Sequence, residues 1–173
     1  GNRLNIFRSR KNLFIIINNL KINYHVSGKG HDVLLLHGWG AKIQSFESVH
    51  QYLEQYFRVY SIDLPGFGDS EPPPIPWGTV DYTQLVQQFI QQLSINHPIL
   101  MGHSFGGRIA IRLALHKKIH KLILVDSAGI KPKRKLTYYI KVYSYKLLKK
   151  IASLPILKAY LKKTLENFQN KAG

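Results

Sequence analysis

Cysteine is absent from the 173 residues, which excludes a disulfide framework, thiol catalysis and zinc sites built on thiolates. Long apolar runs are absent as well. The longest, Leu13 to Ile17, has five residues, where a bilayer span needs about 20 and the apolar region of a secretory signal about 7 to 15. A cytoplasmic location is therefore the expectation. Acidic residues are scarce, 9 against 25 Lys and Arg, which leaves a formal charge of +16. Internal repeats and low-complexity tracts are not evident. Gly rather than Met stands at position 1, which suggests a processed piece.

What is present is enough apolar material for a core, 45% hydrophobic with 12% aromatic, so global disorder is excluded. The length fits one domain. The charge is uneven: residues 1–130 carry 13 basic and 8 acidic side chains, residues 131–173 carry 12 basic and one acidic, Glu166. The two regions are read separately, as a core and a basic tail.

Short apolar runs alternate with stretches of helical spacing, the pattern of an α/β domain with a mostly parallel sheet flanked by helices. Leu13–Ile17 and Leu20–Val26 read as a hairpin around Asn18 and Asn19. Val33–Leu36, without polar alternation, reads as a strand buried on both faces. A helix over 46–56, a strand over 57–62, a Pro- and Gly-rich loop over 65–78 and a helix over 79–93, with Asp81 near its start, follow. Strand 98–101, helix 105–115 and strand 122–125 complete about six strands. No further strand is expected beyond Gly129. Leu136, Tyr139, Ile140, Tyr143, Leu147, Ile151 and Leu154 recur at spacings of three and four among lysines, which predicts a basic amphipathic helix broken by Pro155.

The chemistry centres on Gly102-His103-Ser104-Phe105-Gly106-Gly107. It matches G-x-S-x-G, in which a serine sits on a tight turn between strand and helix and small residues flank it because the backbone packs closely. The pentapeptide lies between a predicted strand and a predicted helix, as that geometry requires. A second segment, Leu34-Leu35-Leu36-His37-Gly38-Trp39-Gly40, is a buried strand running into a Gly-rich loop. Acyl transfer needs preorganised N–H groups aimed at a developing oxyanion, and the amides of Trp39 and Phe105 are the natural pair. His37 and Gly38 are read mainly as shaping the loop. A third segment, Asp63-Leu64-Pro65-Gly66-Phe67-Gly68-Asp69-Ser70, is read as structural, with Phe67 a candidate for lining a pocket.

In order and spacing these segments, with Leu124-Val125-Asp126-Ser127-Ala128, resemble the N-terminal part of an α/β-hydrolase over residues 13–130. The resemblance is strongest to the branch of small-molecule esterases, carbon–carbon bond hydrolases, haloperoxidase-like enzymes and epoxide hydrolases. A serine at 104 argues against epoxide hydrolases, which place an aspartate there. The resemblance implies an eight-stranded sheet with a helical cap after the sixth strand. Residues 1–130 would then be core and 131–173 the start of the cap, with the fold truncated after that strand.

A serine hydroxyl needs a base, and the base an orienting acid. The family order is Ser, acid, His. After Ser104 the histidines are His116 and His120, both before the acids Asp126 and Glu166, so the order fails. His103 is a poor base, because neighbours on a turn point apart. Asp126 stands where some relatives place the triad acid, although a turn-capping role is the preferred reading. The expectation is a serine hydrolase acting on a small-molecule ester or on a carbon–carbon bond beside a carbonyl, with acid and histidine supplied by a missing C-terminal segment or a second chain that also completes the sheet. The alternative is a non-catalytic binding protein, or one that docks its basic helix on an anionic membrane surface. No nucleic-acid motif, metal site or cofactor loop is recognised.

Overall fold

The structure is a computed structural model that describes residues 10–127 and 138–144. Strands β1 (Leu13–Ile17) and β2 (Leu20–Ser27) form the expected hairpin. Asn18 and Asn19 both take positive φ, 51° and 63°, the pair of angles that a two-residue turn between right-twisted strands requires and that asparagine tolerates well. Strands β3 (Asp32–Leu36), β4 (Arg58–Ile62), β5 (Ile99–His103) and β6 (Lys121–Ser127) run parallel, in the order β4-β3-β5-β6, with the hairpin beside β4. Every residue of β3 is buried, as the unalternating run implies.

Helices α1 (Glu47–Leu53), α2 (Thr79–Gln92) and α3 (Phe105–His116) supply the layers. α2 opens at Gly78, whose N–H donates to the Asp81 carboxylate at 2.9 Å. α2 and α3 pack on one face of the sheet over Leu34, Leu36, Ile62, Leu100 and Leu122. Val33, Leu35, Val59 and Ile99 turn the other way, against Phe46 and α1. On that second face a cleft of about 530 Å³ lies between α1 and the ends of β5 and β6, lined among others by Val49, Leu53, Met101, His103 and Val125.

The tail departs from expectation. Tyr138–Ser144, expected as helix, forms a seventh strand, β7, antiparallel to β6 with Lys121 opposite Ser144 and Ser127 opposite Tyr138. Two physical reasons favour the strand. β6 would otherwise present an unpaired edge, and Tyr138, Tyr139, Ile140, Val142 and Tyr143 are aromatic or β-branched residues that suit a pleated surface. The edge of β6 is thus covered by the tail of the same chain. The remaining positions of the expected helix, Leu136 and Leu147 to Leu154, lie outside the described residues. Among the described residues no helix is long and apolar enough to cross a membrane.

One polar cluster ties α1 to the sheet. His50 is fully buried, and its ring bridges Ser27 Oγ of β2 at 2.8 Å and Ser61 Oγ of β4 at 2.7 Å. Ser27 donates its own proton to Glu54 at 2.5 Å, and Arg10 holds both Glu54 and Glu47. Ser27 therefore accepts from His50 Nε2–H, and in the neutral ring Ser61 donates to Nδ1. Burial, reinforced by the charge of Arg10, lowers the pKa from 6.5 to about 4. The unfolded chain takes up a proton near pH 6.5 and the folded site resists until about pH 4. The contribution is therefore complete above pH 6.5 and is lost as pH falls through that interval, about 3 kcal/mol at 1.36 kcal/mol per unit. Urea unfolding should show this loss between pH 7 and pH 4, and His50→Gln should be less stable at pH 7 but lose less over the same range.

Candidate active site

The strand order reverses between β3 and β5, with β4 on one side of β3 and β5 on the other. At such a switch point the loops leaving the C-terminal ends of adjacent strands diverge and leave a crevice. The loop after β3 carries His37, Gly38 and Trp39, and the turn after β5 carries Ser104.

Ser104 joins β5 to α3 with φ 52° and ψ −113°. For a residue with a side chain this is strained backbone, worth about 1–3 kcal/mol, which persists only where its surroundings enforce it. The surroundings do so through absent side chains. A Cβ on Gly102 would meet the backbone of Gly106 and Gly107, and one on Gly106 would overlap the carbonyls of Leu36 and His37. A Cβ on Gly38 would lie 3.5 Å from the Ser104 Cβ and 3.0 Å from His103 Nδ1. Ser104 is exposed, and Phe105 behind it is buried. As the first residue of α3, Phe105 has an N–H with no intrahelical acceptor.

The Trp39 loop is a turn closed by Ala41 N–H donating to Gly38 C=O at 3.1 Å. Gly40 there has φ 76° with open space around it, so the angle and not crowding requires glycine. The loop is fixed from beneath. His37 is buried, with Nε2 accepting from Leu64 N–H at 2.9 Å and Nδ1 donating to Gly38 C=O at 2.8 Å. Burial lowers its pKa, opposed by the Gly38 hydrogen bond and the charge of Asp63. With both nitrogens engaged, His37 shapes the loop and has no nitrogen left for a reacting serine.

From sequence, 63–70 is a structural turn with no evident anchor. The anchor is Asp63, 1% exposed. Its Oδ1 accepts from Ile43 N–H at 2.8 Å, and its Oδ2 from Asn23 Nδ2 at 3.0 Å and Asp69 N–H at 2.9 Å. One carboxylate thereby ties the exit of the Trp39 loop to the Phe67 turn and to β2. Above it stands an aromatic cluster. Trp39 meets Phe67, Phe105 and Tyr82 at ring distances of 4.9, 5.1 and 5.9 Å, all edge to face. Phe67 also meets His37, and Tyr82 meets Trp77. Tyr82 and Trp77 were not singled out from sequence, and the signal that could have found them is the clustering of aromatics on the segment that faces the two Gly-rich loops.

The structure therefore gathers Ser104, Phe105, Trp39, Gly38, His37, His103 and Phe67 at one edge of the sheet. Asp126 lies in β6 in register with Tyr139, and its side chain lies outside the description. Among the described residues no group of three or more His, Asp or Glu side chains is arranged to hold a metal ion.

Residues 33–162 match the model of the "Alpha/beta hydrolase family". The chain belongs to the alpha/beta hydrolase family. Its curated relatives in that family include esterases. It is 36% identical over 110 residues to a pimeloyl-[acyl-carrier protein] methyl ester esterase of Vibrio atlanticus, covering 61% of this chain and 40% of that protein. Among solved structures it is similar to a bacterial membrane phospholipase A, at TM-score 0.65 and 30% identity over 73% of this chain and 42% of that one. It is also similar to a hydrolase from Pseudomonas aeruginosa, at TM-score 0.62 and 25% identity over 70% of this chain and 48% of that one. The chain spans about 40% of the length of that esterase.

Replacing Asp63 by Ala leaves three donors without their buried acceptor, at about 1–3 kcal/mol for each group left unsatisfied. Asp63→Ala should lose at least about 3 kcal/mol in urea unfolding. Its tryptophan emission should also shift as the loop carrying Trp39 loosens.

Proposed function

We propose that this protein is a serine hydrolase that cleaves a small-molecule ester, with Ser104 as nucleophile and the amides of Trp39 and Phe105 as oxyanion donors. The observation that carries the reading is the strained, exposed Ser104 on the turn between β5 and α3, at the switch point of the sheet. In the reaction Ser104 Oγ attacks the ester carbonyl carbon while a base takes its proton. The two N–H groups hold the oxyanion, and the alkoxide leaves with that proton. Water then cleaves the acyl-serine and returns the enzyme. The esterase among its relatives favours an ester over the carbon–carbon bond that the sequence also allowed.

The placement of the histidines supports a base from outside these residues. All eight lie within the described chain. His31, His97 and His120 immediately precede or lie just before β3, β5 and β6, at the N-terminal edge of the parallel strands and a strand length, about 17 Å, from Ser104. His116 ends α3, about 18 Å along a helix that starts beside Ser104. His37 and His50 have both nitrogens engaged, and His25 lies in β2 bonded to Asn12. His103 lines the cleft toward α1. A histidine and its acid supplied by a downstream segment or a second chain complete the machinery. Without them the site retains oxyanion stabilisation and binding, worth roughly 10³–10⁴ over water.

A fluorophosphonate probe read by mass spectrometry tests this reading. Ser104 should carry the label in a longer version containing a downstream histidine, and Ser104→Ala should abolish it. The 173-residue chain should label and hydrolyse p-nitrophenyl acetate far more slowly. An unlabelled Ser104 in the longer version would leave a non-catalytic binding protein as the reading. Ordinary enzyme rates from the 173-residue chain would refute the external base.

A further inference from the structure

We infer that the indole of Trp39 is a specificity platform for an aromatic ring on the substrate, so that the site selects neutral aryl-bearing esters over saturated ones of equal size; the inference rests on Ser104 being the reacting residue. Trp39 follows Gly38, where an added Cβ would lie 3.5 Å from the Ser104 Cβ and 3.0 Å from His103 Nδ1, and its ring meets that of Phe105, the residue after Ser104. The indole is therefore held next to the turn that carries the serine, on the residue whose amide is the proposed oxyanion donor. A tryptophan in three edge-to-face contacts is ordinarily a core residue, yet Trp39 is 58% exposed. The contacts with Phe67, Phe105 and Tyr82 hold the ring without covering it.

An indole that is already immobilised loses little side-chain entropy when a ligand lies on it. Its π surface gains from an aromatic partner about 0.5–1.5 kcal/mol beyond apolar burial, which amounts to roughly a twofold to tenfold preference over a saturated ring. Aromatic surfaces also attract cations, but the protein carries +16 and repels them over the Debye length. None of the ring partners of Trp39 is acidic. The ligand is therefore neutral and flat, not a quaternary ammonium ester.

Methyl phenylacetate and methyl cyclohexylacetate share connectivity and differ in ring character, and the saturated ring is the more apolar. The only tryptophans are Trp39 and Trp77, both in this cluster, so intrinsic fluorescence reports binding directly. The expected result is a Kd twofold to tenfold lower for the phenyl ester in the full chain, with the preference kept in Trp77→Phe and Ser104→Ala and lost in Trp39→Leu. Circular dichroism of Trp39→Leu confirms that the variant is folded, and Trp39→Phe, which keeps an aromatic face, should restore part of the preference. Equal or tighter binding of the cyclohexyl ester, no binding of either, or a preference that survives Trp39→Leu overturns the platform. A Ser104 labelled by fluorophosphonate in the longer version, together with no aryl preference, sinks the platform alone and leaves the hydrolase reading standing. An aryl preference with Ser104 unlabelled sinks the hydrolase reading and makes the aryl compound a ligand that is not a substrate.

Discussion

The site depends on one steric constraint, the contact of the first turn of α3 with the backbone at the end of β3. Gly106 lies so close to the carbonyls of Leu36 and His37 that no side chain fits between them. That contact presses the start of α3 onto the sheet and leaves the chain one residue, Ser104, in which to turn from strand to helix. The positive φ of Ser104 follows from this lack of room. The strain persists because Leu34, Leu36 and Leu100 below it and Ile109 and Leu113 of α3 behind it are buried in a single cluster, and a packed core yields less readily than one torsion.

The same contact brings the loop after β3 within reach of the serine, and the rest of the site serves to hold that loop still. His37 holds it from beneath through two hydrogen bonds, Asp63 fixes its exit at Ile43, and Trp39 rests against three rings. Oxyanion stabilisation requires donors that are already aimed before charge develops, so a rigid Trp39 loop is what the role proposed for its amide requires. A buried neutral histidine suits this role better than a charged one, because an imidazolium would lose the acceptor nitrogen that takes the Leu64 N–H.

The core was legible because its signals are local. The unalternating Val33–Leu36 run, the Asn18-Asn19 pair and the glycines around Ser104 each imply one backbone geometry, and each is found. Asp63 was not legible as a clamp, because its three donors come from positions 23, 43 and 69 and nothing in the sequence shows that these meet. The aromatic cluster was hidden for the same reason, since Trp39, Phe67, Tyr82 and Phe105 come from four separate segments. β7 is not legible in the sequence because Tyr139, Ile140 and Tyr143 fit a helical spacing as well as a strand, and only the unpaired edge of β6, a feature of the folded sheet, decides between them.

The position of β7 also changes what the basic tail means. Lys141 projects from the outermost strand and is exposed, as is Val142 beside it at 55%. An edge strand offers unpaired N–H and C=O groups to any other strand, and lysine on such an edge is a common means of preventing that pairing, because a second copy would have to bury the charge. Here the local lysine acts within a chain of charge +16, so two copies repel each other at long range before their edges meet. Lys141, the basic residue of the tail that the structure describes, thus guards the exposed edge of β7 against pairing with a second copy.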